Sequence, residues 1–160
     1  MSTLPFKARF KKPYMETKIW IFRTNWTGKI ILSMKPRKHK TPRQKLIKDC
    51  DTLFSKIIRK RDPVCVYCGK RPSQDAAHIF SRRKLGTRWC FDNAFGMCKG
   101  CHKFQAHLYP LDFLEFARET LGEDTFTKVR VLSVMTKTVP TTALSMIKLG
   151  LQKYWEEING

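Results

Sequence analysis

Apolar residues recur at helical spacing between residues 42 and 62 and predict a long amphipathic helix with a basic opposite face. The apolar positions are Leu46, Ile47, Cys50, Leu53, Phe54, Ile57 and Ile58. Thr41 is a favourable N-cap before Pro42 at the first helical position, and Pro63 predicts the end of the helix. Because Cys50 belongs to the apolar stripe, we expect it in the core and not as a metal ligand.

Three further helices are predicted toward the C-terminus. The segment YPLDFLEFARETLG has Pro110 near its start and Gly122 as its stop signal. The segment EDTFTKVRVLSVMTK predicts the next helix, and TTALSMIKLGLQKYWEEI predicts a last one that is broken or strained at Gly150. We interpret all three as packing elements without chemistry of their own.

The remaining pattern predicts short strands. KIWIF and KIILSM flank RTNWTG, which predicts a β-hairpin with Gly28 in its turn, while residues 1–18 are basic, lack periodicity and predict an arm. Between residues 64 and 108 we expect one strand ending near His78, then a polar loop. A second strand, AFGM, follows Asn93 and leads into a helix.

The formal net charge of +19 changes the expected class of partner. Residues 1–62 carry 18 Lys and Arg against four acidic residues. Such a charge attracts polyanions, so it favours nucleic-acid binding over a merely solvated or ribosomal-type basic surface. The run KPRKHK contains Arg37, Lys38 and Lys40 and is either a phosphate contact or a solvated linker.

No segment predicts secretion or a membrane span. The N-terminal MSTLPFKARFKKPYMETK lacks the apolar region of a signal peptide, and the longest apolar runs are far too short to cross a bilayer. We therefore expect a soluble, intracellular protein with no membrane partner. In a reducing compartment its six cysteines favour metal binding over a disulfide framework.

Two Cys-x-x-Cys pairs predict a structural zinc site. The ligands are Cys65, Cys68, Cys98 and Cys101. Four thiolates complete a tetrahedral Zn²⁺ site, so this ion would stabilise the fold and not take part in catalysis. Gly69 and Gly100 are expected to supply tight backbone turns, and the leftover Cys90 is expected to be buried beside Trp89 and Phe91.

The histidines follow a recognisable order. His78 comes first, Asn93 second, and His102 directly follows the second cysteine pair in CKGCHKF. This order resembles the HNH nuclease family, also called His-Me finger or ββα-metal nucleases, over residues 54–108. The wider context, from LFSKIIRKRDPVCVYCGK to CKGCHKF, is similar to phage and prophage HNH proteins, including the NinG-like recombination group.

The resemblance implies a role for each of these residues. His78 matches the general base that activates the attacking water, and Asn93 matches the residue that orients that histidine by pinning the loop backbone. His102 matches a ligand of a single catalytic Mg²⁺ or Mn²⁺. Basic residues around the connecting loop would contact DNA phosphates, namely Arg82, Arg83, Lys84, Arg88 and Lys103, together with Arg37, Lys38 and Lys40.

The sequence departs from the family at the metal site. Many HNH proteins carry a metal-binding Asp immediately before the first His, and here that position is Ala77. Strand alternation predicts that Asp75 points to the face opposite His78, which makes Asp75 a tentative ligand. His107 is also tentative, since it follows His102 by five residues and α-helical spacing does not bring the two together.

We therefore predict an α+β fold with a small zinc-stabilised ββα-metal, treble-clef-like core, flanking α-helices and a basic N-terminal arm. The predicted divisions are residues 1–40, 41–108 and 109–160. The leading functional hypothesis is a metal-dependent, phage-encoded HNH endonuclease acting on DNA, including branched or single-stranded DNA, in the host cytoplasm. The alternatives are a non-catalytic treble-clef zinc protein that binds nucleic acid and a structural protein of a ribonucleoprotein particle. The oligomeric state stays open.

Overall fold

The structure, a computed structural model, describes residues 20–24, 30–34, 39–135 and 138–160, the first two ranges by their backbone alone. Contacts divide the chain into two units, Met1–His39 and Lys40–Gly160. The predicted arm, the turn at Gly28, and the residues Arg37 and Lys38 lie outside the described residues.

The first unit contains the predicted hairpin. Strands β1 (Trp20–Thr24) and β2 (Ile30–Met34) pair antiparallel, with Trp20 opposite Met34 and Thr24 opposite Ile30. Two short runs of mostly apolar residues on both sides of a polar segment favour this pairing.

The second unit begins with helix α1, Pro42–Arg61. Its N-terminus is a capping box, in which the Thr41 hydroxyl accepts from the Gln44 N–H at 3.2 Å and the Gln44 side chain accepts from the Thr41 N–H at 3.0 Å. The helix ends two residues before Pro63, as predicted. Cys50 is fully buried, which confirms its expected place in the core.

Two antiparallel strands and a short helix follow α1. Strands β3 (Asp75–His78) and β4 (Ala94–Met97) pair with Asp75 opposite Met97 and His78 opposite Ala94. A 3₁₀ turn, Phe91–Asn93, leads into β4. After β4 come helix α2 (Lys99–Cys101) and a π-helix (His102–Leu108). The predicted strand, loop, strand and helix are therefore present in that order.

Three helices complete the chain. They are α3 (Pro110–Leu121), α4 (Glu123–Met135) and α5 (Thr141–Glu157). Gly122 stops α3 in the left-handed region at φ 79°, as its position in the sequence predicted. The prediction of a break at Gly150 was wrong. Helix α5 runs through Gly150 because Leu144 and Leu151, on either side, are both buried and hold the helix in place.

The β3–β4 strand pair lies between two apolar clusters. One cluster joins α1 and α5 through Phe54, Ile57, Ile58 and Leu144. The other joins the sheet to α3 and α4 and includes Ala77, Phe95, Met97, Phe113 and Phe126. The observed class is thus mixed and helix-rich with small two-stranded sheets, which confirms the predicted α+β class. Within the described ranges, no helix has both the length and the apolar character needed to cross a bilayer.

Strand β4 touches the C-terminal end of α1 at Gly96, where the two backbones approach closely. The Gly96 N–H donates to Asp62 Oδ2 at 2.8 Å. A Cβ at position 96 would lie 2.5 Å from Ser73 Oγ, 2.6 Å from Asp62 Cβ and 2.9 Å from the Asp62 carbonyl oxygen. Only glycine fits this approach, which fixes the sheet against α1.

We expect Gly96→Ala to lower the free energy of unfolding by about 1–3 kcal/mol, because the added methyl group overpacks this approach. Gly150→Ala is the matched control. A Cβ at position 150 meets nothing within 4 Å, so this change should stabilise α5 by about 0.5–1 kcal/mol. Urea denaturation followed by circular dichroism measures both. Equal stability of Gly96→Ala and wild type would contradict the close approach.

Candidate metal centre and histidine cavity

The four predicted zinc ligands lie together. The sulfur atoms of Cys65, Cys68, Cys98 and Cys101 are all within 4.8 Å of one another. A tetrahedral ion with Zn–S bonds of about 2.3 Å would place its sulfurs about 3.8 Å apart. The cluster can therefore hold a structural metal ion and is compatible with zinc. In the described part of the chain, it is the one group of three or more His, Cys, Asp or Glu side chains whose ligand atoms lie this close together.

The backbone around the first cysteine pair explains how it reaches this position. The Cys65 N–H donates to the Arg71 carbonyl and the Gly69 N–H to the Cys65 carbonyl, both at 2.8 Å. Gly69 has φ +62°, which confirms the predicted tight turn. The prediction for Gly100 was wrong. That residue has no positive φ and lies within α2, because helix formation after Cys98 directs the second pair without a left-handed turn.

Backbone N–H groups point at sulfur in both pairs. The N–H of Lys70 lowers the pKa of Cys68 to about 6, and the N–H of Cys101 lowers the pKa of Cys98. Burial raises the pKa of the Cys101 thiol. Because the thiolate is the form that binds metal, the N–H groups prepare part of the site and a cation is needed for the rest.

Cys50 and Cys90 do not belong to the cluster. The Cys50 thiol is buried against the Leu144 carbonyl at 3.8 Å, and burial raises its pKa. Cys90 is half-buried, so its side chain is less enclosed than predicted. It lies at the N-terminal boundary of the 3₁₀ turn, which places it at the edge of the core and not inside it.

A cavity of about 490 Å³ lies beside the metal cluster's helix, between α1, β3, the loop after β3 and the π-helix. Its lining residues are Ser55, Asp75, Ala76, His78, Ile79, Ser81, Arg82, His102, Ala106 and His107. Both predicted catalytic histidines and both tentative ligands therefore face one space. Ala77, the position at which the resemblance predicts an Asp, is fully buried in the cluster that contains Phe95 and Phe113.

The π-helix explains the place of His107. An α-helix aligns residues three or four apart, whereas a π-helix hydrogen-bonds each residue to the one five positions earlier. The Tyr109 N–H donates to the Phe104 carbonyl at 3.2 Å in this manner. The rings of His102 and His107 consequently lie with their centroids 4.7 Å apart. The α-helical spacing rule failed here because the helix is wider than that rule assumes.

Asp75 lies beside His102 at one end of β3. Its Oδ2 is 3.2 Å from His102 Nδ1, and both residues line the cavity. The prediction that Asp75 points away from the face of His78 was wrong. Asp75 is the first residue of a four-residue strand, and its half-exposed side chain reaches His102 across the end of the sheet. Alternation describes the middle of a strand better than its end.

His78 has a defined protonation pattern. Its Nε2 lies 3.0 Å from the Arg88 carbonyl oxygen. Because a carbonyl can only accept, Nε2 carries the proton and the Nδ1 lone pair is free in the neutral ring. Burial lowers the pKa of His78, partly opposed by this hydrogen bond. The imidazole is therefore neutral at pH 7 and can accept a proton.

Asn93 holds the loop that follows His78. Its side chain is fully buried and accepts from the Phe80 N–H at 2.8 Å. It donates to the Phe80 carbonyl at 3.0 Å and to the Thr87 carbonyl at 2.9 Å. The Ile79 N–H also donates to the Asn93 carbonyl at 2.9 Å. Asn93 thus pins both ends of the 80–87 loop and does not line the cavity.

The predicted phosphate-contacting residues differ in their availability. Arg82, Arg83, Lys84, Lys103 and Lys40 are exposed, and Arg82 lines the cavity. The Arg88 guanidinium instead pairs with Asp51 at 2.6 Å and donates to the Arg82 carbonyl at 2.8 Å. This ion pair raises the pKa of Arg88, and the side chain is committed to contacts within the protein.

Sequence reasoning did not single out Asp51 or Ser55. Asp51 binds the loop through Arg88 and Trp89, and Ser55 lines the cavity. They are four residues apart and therefore share one face of α1. The sequence feature that could have indicated Asp51 is its charge, since it is an acidic residue next to the apolar stripe of a mostly basic helix.

Comparison of the chain with protein-family models, with curated proteins and with solved structures found no match.

We expect the purified protein to contain about one zinc per chain, as four thiolates require. Cys98→Ser should abolish zinc retention and lower the thermal midpoint, because metal binding stabilises this segment. Cys90→Ser is the matched control and should keep its zinc. Elemental analysis and thermal circular dichroism measure both. Zinc-free wild-type protein with an unchanged midpoint would contradict the assignment.

The His78 ring should titrate below the ordinary histidine value of about 6.5, because burial disfavours the charged form. Since the folded-state pKa is lowered, the unfolded chain binds more protons just below pH 6.5. The free energy of unfolding should therefore fall as the pH drops through that window. An NMR titration of the ring protons, assigned with His78→Gln, measures the midpoint. A midpoint at or above 6.5 would rule out this effect of burial.

Proposed function

We propose that the protein is a metal-dependent endonuclease of the HNH type that hydrolyses DNA phosphodiester bonds. The observation that carries the proposal is the shared cavity. It is lined by a neutral histidine with a free Nδ1, by two further histidines and by one carboxylate, and these side chains come from β3 and the π-helix. The order of the elements around them is that of a ββα-metal, treble-clef-like core, which is the finer fold we propose.

His78 is the proposed general base. Its burial keeps the ring neutral near pH 7, and the Arg88 carbonyl holds the proton on Nε2, so Nδ1 can remove a proton from water. Asn93 supports this role without touching the substrate, because its hydrogen bonds hold the loop that carries the Arg88 carbonyl. We therefore describe Asn93 as a positioning residue and not a catalytic one.

Asp75, His102 and His107, which line the same cavity as His78, are the proposed ligands of a divalent cation. Asp75 accepts from Nδ1–H of His102, which leaves the His102 Nε2 lone pair for a metal, and the His107 ring lies alongside. Two imidazoles near a carboxylate favour Mn²⁺ over Mg²⁺, which prefers oxygen ligands. When bound, such an ion supplies charge stabilisation for the pentacoordinate phosphate and the leaving oxygen.

Basic residues at the cavity's edge suit a polyanionic substrate. Arg82 lies in the cavity wall, and Arg83 and Lys84 are exposed beside it. The exposed side of α1 adds Lys45, Lys48, Lys56 and Lys60. Contacts of this kind bind the phosphate backbone without reading sequence, so we expect affinity to fall steeply with salt. Because Arg88 is held by Asp51, we leave it out of the proposed phosphate contacts.

The test is nicking of supercoiled plasmid in Mn²⁺ or Mg²⁺. His78→Ala should lower the nicking rate by about 10²–10⁴-fold, since a general base contributes on that order. His39→Ala is the matched control, because it removes the chain's remaining imidazole, an exposed one in the other unit. Zinc content must equal that of wild type in each variant, so that loss of rate reflects chemistry.

Two other results would count against the proposal. Metal-independent nicking, or nicking unchanged by His78→Ala, would identify a contaminating nuclease. Retardation of DNA in a gel without nicking in either metal would instead favour the non-catalytic zinc protein that binds nucleic acid.

A further inference from the structure

A chain of hydrogen bonds reaches His78 from helix α1. The Asp51 carboxylate accepts from Arg88 Nε at 2.8 Å and from Arg88 Nη2 at 2.6 Å. It also accepts from Trp89 Nε1 at 3.0 Å. The Arg88 carbonyl in turn accepts from His78 Nε2 at 3.0 Å. We propose that Asp51 is a positioning residue that fixes this carbonyl and, through it, the orientation and tautomer of the His78 ring.

Asp51 holds the peptide group that carries the Arg88 carbonyl from both sides. The Arg88 carbonyl belongs to the peptide unit between Arg88 and Trp89. The side chains of both residues are bound to the same carboxylate, one on each side of that unit. These contacts fix the Cα atoms on both sides of the peptide unit relative to α1, which restricts the position of its carbonyl oxygen. The carbonyl oxygen is therefore held toward His78.

The anchor is strong enough for this role. The Arg88–Asp51 pair is bidentate and charge-assisted, with side-chain exposures of only 18% and 26%. The guanidinium also lies over the Trp89 ring, 5.5 Å from its centroid, and donates to the Arg82 carbonyl. These contacts leave the Arg88 backbone little freedom. A solvent-exposed pair would be much weaker.

Helix α1 supports the same histidine by packing. Phe54 is buried, and its ring centroid lies 5.5 Å from that of His78. The ring is thus held by an apolar contact on one side and by a carbonyl at Nε2. Without the Arg88 carbonyl, the neutral ring would have no fixed partner for Nε2–H. It could then exchange its proton between the two nitrogens.

The deciding experiment is NMR of the His78 ring nitrogens in the full-length, zinc-loaded protein. Wild type should show a single neutral tautomer with the proton on Nε2. Asp51→Asn should give a mixture of tautomers and at least a tenfold faster exchange of the ring N–H. Asp49→Asn is the matched control, because among the described residues this acid, two positions earlier on α1, pairs with Lys148 alone, at 2.9 Å. Asp51→Glu, which keeps the carboxylate, should largely restore the wild-type pattern.

An unchanged tautomer and exchange rate in folded, zinc-loaded Asp51→Asn would overturn the inference. If that variant does not fold, Arg88→Lys gives the same comparison, because an ammonium cannot form the two-point contact. An unchanged His78 ring in Arg88→Lys would be equally contrary.

The kinetic consequence rests on the proposed nuclease function. In that case Asp51→Asn should lower kcat about tenfold to a hundredfold, with little change in KM. Losses of this size are common when a residue that orients a functional group is replaced. A merely structural role would lower the amount of active protein without changing the tautomer. If the wild type cuts no DNA, the proposed function fails, and the NMR result alone still decides the role of Asp51.

Discussion

Four sulfur atoms lie within 4.8 Å of one another, an arrangement in which all four can be thiolates only around a cation. This constraint joins two parts of the chain, since 29 residues separate Cys68 from Cys98. One lies before β3, and the other follows β4. A metal ion bound there would tie together the two ends of a hairpin whose strands are only four residues long. A two-stranded hairpin of this size is marginal by itself.

The cavity depends on that tie and on α1. The metal cluster directs the chain from β4 into α2 and the π-helix, which carries His102 and His107. Helix α1 forms the opposite support, with Phe54 against His78 and Asp51 against the loop. Asn93 connects the two by closing the loop over β3. The cavity is therefore assembled from residues that are far apart in sequence and rigidly linked in space.

Much of this could be predicted because the signals are local. Thr41 and Pro42 start α1, Gly122 ends α3, and the two cysteine pairs indicate their shared ion. The predictions that failed assumed an ideal local geometry that the folded chain does not have. His107 was judged by α-helical spacing, and Asp75 by ideal strand alternation. Gly150 was judged by its intrinsic helix propensity, although packing of α5 outweighs that small penalty.

The Asp51–Arg88 pair shows a different limit. The two residues are 37 positions apart, and nothing in the sequence near either one indicates the other. Arg88 looked like one more basic residue on a basic loop, and only the folded chain shows that its charge is already neutralised. Net charge therefore does not show which basic side chains are available to a partner.

In the π-helix, the contact between His102 and His107 depends on the number of residues between them. Five steps bring His107 back to His102, whereas an α-helix would do so in fewer than four. Deleting one residue from this segment would leave it one step short and favour ordinary winding. The rest of the helix would then turn by about 100° relative to the strands. One-residue insertions and deletions are thus far more consequential here than substitutions at the exposed positions between the two rings.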